Sequence, residues 1–269
     1  MGKSYRYTVC ALLFFATTIN YFDRQVLGIL KPLLENRFAW SESEYSYLVI
    51  IFQASYALGL LSLGTVIDKI GTKAGYTLCV VIWSLASIAH AFAATFGNFA
   101  LARGVLGFAE SGNFPAAIKA VAEWFPKGER ALAVGILTSG TSMGAILAPL
   151  LVPRVAAAYG WQSAFFITTF FGCCWLVAWQ RVYRAPQKND VVVEAKEIMV
   201  GRPKVRWLDL MKNRRTWIIV IGKFMTDPIW YFMLFWLPSY FADRFALDLA
   251  HVGFPLMACL LYTSDAADE

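Results

Sequence analysis

The chain is built from long apolar runs. An α-helix rising 1.5 Å per residue needs roughly 20 such residues to cross a hydrocarbon layer ~30 Å thick. Seven runs of this kind predict spans at Thr8–Leu30, Tyr45–Ile67, Gly75–Ala94, Phe99–Phe125, Ala131–Pro153, Trp161–Tyr183 and Trp217–Phe241. An eighth begins near Val252. No water is available in a bilayer to satisfy backbone groups, and runs this long and evenly apolar meet that demand as helices. Composition points the same way: 58% of the 269 residues are hydrophobic and only 16% charged, with mean hydropathy +0.53. Soluble domains carry about 25% charged residues. Disordered, collagen-like, disulfide-scaffold and soluble-enzyme classes are therefore excluded, and an all-α integral membrane protein is expected.

The net charge of +6 could suggest a nucleic-acid partner, but its placement argues otherwise. Ten Lys/Arg and four Asp/Glu lie between Arg181 and Arg215, so one loop holds a surplus equal to the whole net charge. A basic loop between apolar spans marks the cytoplasmic side of a membrane protein, and no nucleic-acid partner is expected. Counting loop by loop, sixteen Lys/Arg fall on the side of the N-terminus and that loop, against Lys31, Arg37, Arg154 and Arg244 on the other. The N-terminus is thus expected in the cytoplasm of a multi-pass protein.

The expected organisation is a six-helix bundle over 1–183, a cytoplasmic linker over 184–215 and the start of a second bundle over 216–258. Cys259–Glu269 breaks the pattern, because an apolar helix start runs straight into an acidic tail. That string resembles the in-frame translation of a sequencing-library transposase adapter, so it is expected to be non-native and the chain to be truncated. The five cysteines lack metal-site spacing. Cys10, Cys79, Cys173 and Cys174 read as small apolar packers.

Charged groups at mid-membrane cost ~2.5–3.5 kcal/mol each on insertion scales, which makes them functional candidates. The first span holds Asn20-Tyr21-Phe22-Asp23-Arg24. The fourth holds Arg103 and Glu110, two turns apart on one face. The seventh holds Lys223 and Asp227 at i, i+4, within reach of each other. These charges could merely neutralise one another and hold helices together. An arginine open to a cavity, however, suits a carboxylate ligand, because its planar fork donates two parallel hydrogen bonds. A carboxyl group in apolar surroundings favours its neutral form and can exchange protons. Asp23 has a cation beside it in sequence, so Glu110 is the better proton site if Arg103 is not its close partner.

Between spans two and three, Gly64, Asp68, Lys69, Gly71 and Lys73 stand in a pattern that resembles the G-x-x-x-D-[RK]-x-G-x-[RK] loop of the major facilitator superfamily. Gly64 is expected to permit close helix approach, Gly71 the tight turn, and Asp68 a contact with a helix N-terminus and basic partners. Tyr21-Phe22-Asp23-Arg24, the Arg103/Glu110 pair and Trp124–Arg130 together resemble that superfamily's anion:cation symporter branch. Gly222–Pro238 is similar to the seventh span of hexuronate transporters.

The resemblance implies a major facilitator fold whose spans one, four, seven and ten line a central cavity. By it, Arg24 holds a substrate carboxylate, Asp23 and Glu110 carry protons, Arg103 couples Glu110 to the gate, and Tyr21 and Tyr56 meet sugar hydroxyls. Thr141 stands where some aldonate-transporting relatives carry Gln, which favours a hexuronate. Trp230 and Trp236 are either interfacial anchors or platforms for a sugar face. The glycines and serines of Ser139–Gly144 suit close packing of the fifth span, and Pro149 suits a bend there. His90 and His251 lie toward the outer ends of spans and are not expected to couple.

The function expected from this resemblance is proton-coupled symport of glucuronate or galacturonate across a bacterial inner membrane, by a monomer using the proton gradient and no cofactor. Aldonate or aldarate uptake, and a non-transporting receptor or scaffold on the same fold, are the alternatives. The absence of Walker, zinc and nucleophile-elbow patterns argues against an ATP-driven pump or an enzyme.

Overall fold

The computed structural model describes residues 3–185, 211–245, 255–256 and 258–259. Most of the basic linker, His251 and the tail beyond Cys259 lie outside these residues. The described chain is helical throughout its regular structure: α1 (Lys3–Phe38), α2 (Glu42–Ile70), α3 (Thr72–Ala91), α4 (Phe96–Glu110), α5 (Asn113–Trp124), α6 (Arg130–Tyr159), α7 (Gln162–Val182), α8 (Arg214–Phe235) and α9 (Leu237–Phe245). A single 3₁₀ turn at Lys127–Glu129 leads into α6.

Local chemistry sets the ends. Ser41 and Glu44 form a reciprocal capping box that starts α2, and Thr95 caps α4 by accepting from the Asn98 N–H. The α2–α3 connection is one residue, Gly71, at φ +88° and ψ 158°. Only glycine occupies that region without strain, so the predicted tight turn is present.

Five described helices are long and apolar enough to cross a membrane: α2, α3, α6 with its 3₁₀ lead, α7 and α8. α1 is longer, but Asn20, Asp23, Arg24, Gln25 and Lys31 interrupt its apolar run. The fourth predicted span is not one helix. It is broken at Ser111-Gly112 into α4 and α5. Pro115 supplies the reason, since it has no N–H for the Ser111 carbonyl and its ring crowds that residue. The seventh span likewise ends at Trp236, because Pro238 cannot donate to the Leu234 carbonyl.

α1 packs along α6, α2 along α4, and α3 against both α4 and α7. Close approach of α1 and α6 depends on small residues. A Cβ on Gly140 would lie 2.6 Å from the Phe14 carbonyl oxygen, and one on Gly144 2.5 Å from that of Thr18. The expected packing role of this segment is therefore present. Gly64 corrects its expectation, as a Cβ there would meet no described atom within 4 Å. Cys10 and Cys79 are buried packers, whereas Cys173 and Cys174 are exposed on the outer face of α7.

Two apolar cores result. One gathers the N-terminal end around Tyr76, Trp124, Trp175 and Trp179, and the other gathers the far end around Leu30, Trp40, Phe99 and Trp161. A layer of buried polar side chains lies between them: Asn20, Asp23, Arg24, Ser87, Arg103, Glu110, Asn113 and Thr168.

Candidate functional site

Removing a charge from water costs several kcal/mol unless partners compensate it, so the contacts within this layer define its chemistry. α1 delivers Arg24 to its centre, fully buried. The guanidinium Nε lies 3.3 Å from Oε2 of Glu110 on α4, and Nη2 donates to Oδ1 of Asn20 at 3.3 Å. Asn20 in turn donates from Nδ2 to the Glu110 carbonyl at 3.4 Å. The rings of Tyr21 and Tyr56 cover the guanidinium, with centroids 4.7 Å and 4.6 Å from its carbon. Such cation–π contact stabilises a cation where water is excluded. Arg24 Nη1 and Glu110 Oε1 have no hydrogen-bond partner. The pair is thus held by one contact and keeps a free donor and a free acceptor.

Arg24 is the partner of Glu110; Arg103, on the same helix as Glu110, is not. Arg103 is fully buried, lies over the Phe52 ring at 4.4 Å, and none of its three guanidinium nitrogens has a hydrogen-bond partner. Asp23 is not paired with the adjacent Arg24. Its Oδ1 accepts from the Ser87 hydroxyl at 2.8 Å, and Ser87 lies 2.7 Å from the Thr168 hydroxyl. Ser87, Thr168 and Phe52 were not singled out by sequence, because small polar and aromatic residues in a span look like ordinary packers. His90 stacks on Phe165 at 5.0 Å and meets the Ala86 carbonyl at 2.7 Å, away from the carboxylates' hydrogen bonds.

Beside this layer lies a cavity of about 600 Å³, lined by Tyr21, Thr141, Lys223, Asp227, Trp230 and Tyr231 among others. Tyr21, Thr141 and Trp230, three of the five sequence-selected ligand residues, are therefore brought together there. Arg24 sits behind Tyr21 instead of in the cavity wall. Lys223 and Asp227 pair at 3.3 Å along α8, as their spacing predicts, and both are exposed. Trp236 packs edge-on against Tyr45 at 5.8 Å and is not among these lining residues.

The motif turn lies at the N-terminal end of the bundle. Asp68 pairs at 2.9 Å with Lys119 of α5, which also donates to the Ile67 carbonyl at 3.0 Å. Lys73 donates to the Gln180 carbonyl of α7 at 2.8 Å, and Lys69 follows Asp68 in the last turn of α2. Lys119 was missed because nothing in its local sequence marks it.

A helical membrane bundle with a buried arginine–carboxylate pair beside a cavity is the class these observations define. Residues 13–264 match the Major Facilitator Superfamily model, and the chain belongs to that superfamily. It is 31% identical over 262 residues to the galacturonate transporter of Dickeya chrysanthemi, covering 93% of this chain and 76% of that protein. Identity to the hexuronate transporter of Escherichia coli K12 is also 31% over 262 residues, covering 93% of this chain and 61% of the relative. The hexuronate transporter of Bacillus subtilis is 29% identical, with 90% of this chain and 58% of the relative covered. Against these last two, the chain spans about three-fifths of the relative's length. The fold is shared with a crystal structure of a bacterial homolog to the human lysosomal transporter Spinster, at TM-score 0.77 and 20% identity, covering 94% of this chain and 59% of that one. The superfamily is one of transporters, not enzymes.

Proposed function

We propose that the whole protein is a proton-coupled symporter that imports a hexuronate, glucuronate or galacturonate, across a bacterial inner membrane. The observation that carries this reading is the fully buried Arg24–Glu110 pair behind Tyr21, whose ring lines the cavity. A guanidinium stays charged at every working pH, so Arg24 is a permanent anion holder and cannot be the proton switch. Glu110 competes with a substrate carboxylate for that same cation. Protonating Glu110 releases Arg24, and an arriving carboxylate then favours the protonated glutamic acid. Binding of anion and proton are linked through one contact. Asp23 is a second proton carrier held by Ser87, and Arg103 couples Glu110 to the gate. Tyr21, Tyr56, Thr141 and Trp230 supply hydroxyls and ring faces to the sugar.

Relatives named for hexuronates reach 31% identity, whereas those named for galactonate stand at 26%, which supports a hexuronate over an aldonate. The protein acts as a monomer with its N-terminus in the cytoplasm, and the bilayer and the proton gradient are its only other requirements. Among the described residues, α8 meets α1 at the far end through Leu234 and Phe235, while most of Arg214–Ile229 is exposed. That arrangement suits a cavity closed to the outside. The test is uptake by the full-length protein in proteoliposomes. An imposed inward proton gradient is expected to drive accumulation of glucuronate or galacturonate ahead of galactonate, and no accumulation of either hexuronate under that gradient would overturn the reading.

A further inference from the structure

Lys31 was counted from sequence as a loop charge on the outer side. It lies instead inside α1 and is 1% exposed, which makes it the one buried lysine among the described residues. An ammonium has three N–H donors and no acceptor. Two of them meet Oε1 and Oε2 of Glu42, at the start of α2, at 2.7 Å and 2.8 Å. The third donates to the hydroxyl of Ser239 on α9 at 3.2 Å. Glu35, one turn along α1, adds a carboxylate at 3.5 Å, and the Tyr45 ring lies 4.9 Å from the ammonium. Lys31 therefore belongs electrostatically to the first bundle, but it reaches the second through one neutral partner.

The backbone beside it is arranged to match. The α8–α9 break leaves carbonyls without helical partners. Leu234 O has Pro238 where its donor should be, and a Cβ on Gly28 of α1 would lie 3.0 Å from it. Phe235 O accepts from the Tyr45 hydroxyl at 3.0 Å. Two hydrogen bonds, from Lys31 and Tyr45, thus clasp the α8–α9 corner over a glycine that lets the backbones touch.

We propose that Lys31, with Tyr45, forms a releasable latch that closes the outer end of the cavity by gripping Ser239 and the Phe235 carbonyl at the α8–α9 corner. Release is cheap by design of the partners. Lifting the corner breaks one bond from Lys31 but leaves its charge neutralised by Glu42, whose carboxylate is 67% exposed, so water can take the place of Ser239. A direct charge pair across the gap would instead strand two ions on opening. The word outer rests on the proposed transport reading; the latch itself does not.

The full-length protein, with its native cysteines replaced, can report on this directly. Leu234→Cys places a thiol under the clasp, where Leu234 is 1% exposed, and a water-soluble maleimide is added to the protein in detergent, where both ends are open to it. Loss of the charged hydrogen bond in Ser239→Ala is expected to speed labelling about tenfold, and Lys31→Met at least as much. A thiol from Ala120→Cys, buried at the other end, should stay unreactive in both. Unchanged labelling at Leu234→Cys in Ser239→Ala overturns the latch even if Lys31→Met fails to fold. Equal acceleration at both thiols also overturns it, because the cluster is then a folding contact. No substrate is involved, so failure here is separate from failure of the transport reading.

Discussion

Asp23 and Arg24 are adjacent in the chain and both fully buried, yet their side chains enter different networks: Asp23 accepts from Ser87 on α3, and Arg24 meets Glu110 on α4. Consecutive residues on a helix point about 100° apart, and α1 is surrounded closely enough for both directions to be interior. One helix thereby contributes to two carboxyl sites, and Arg24 serves only one of them. The separation matters because a direct Asp23–Arg24 pair would leave Glu110 without its cation and the anion site permanently occupied.

Arg24→Lys in the full-length protein keeps the charge and loses the planar fork. Binding of a hexuronate, followed by intrinsic tryptophan fluorescence, is expected to weaken roughly tenfold to a hundredfold, the worth of one charge-assisted hydrogen bond. Unchanged affinity would remove Arg24 from the anion site.

Glu110→Gln imitates the protonated acid. The variant should bind substrate and catalyse counterflow exchange, yet fail to concentrate substrate when only a pH gradient is supplied. Accumulation at the parent rate would shift the coupling role to Asp23 with its Ser87 contact.

Glycine contacts separate packing from motif. Gly144→Ala drives a methyl to 2.5 Å from the Thr18 carbonyl and is expected to cost ~1–3 kcal/mol, read as a lower midpoint in thermal unfolding in detergent. Gly64→Ala meets nothing in the described chain and should be neutral or stabilising by up to ~1 kcal/mol. The reverse order would mean that α1 and α6 do not approach as described.

Orientation has its own measurement. Single cysteines near the N-terminus and within 186–210 should both be inaccessible to impermeant reagent in intact cells and both accessible in inverted vesicles. Labelling of the long loop from outside would invert the topology drawn from the sixteen-to-four Lys/Arg asymmetry.

Much of this architecture was legible because apolar length and loop charge are local properties. The Gly71 turn, the glycine seam of α6 and the Lys223–Asp227 pair follow from residues close in sequence. Long-range pairing does not. Arg24 and Glu110 are 86 positions apart, and nothing local says that Glu110 prefers Arg24 to Arg103, two turns away on its own helix. Lys31 was misplaced because a lysine near a span's end normally belongs to water, whereas here the start of α2 and the α8–α9 corner meet over it. The break in the fourth span was signalled by Pro115, but the apolar run on both sides hid it.

That break has a mechanical meaning. A straight helix passes a push along its axis, whereas a jointed one turns it into rotation. Glu110 is the last residue of α4, directly before the joint, and Lys119, the partner of Asp68, rides on α5 just beyond it. Only eight residues separate the buried carboxylate of Glu110 from the ammonium that grips the α2–α3 turn. On the proposed transport reading, a small displacement at Glu110 would reach the α2–α3 turn as a swing, like the short arm of a crank.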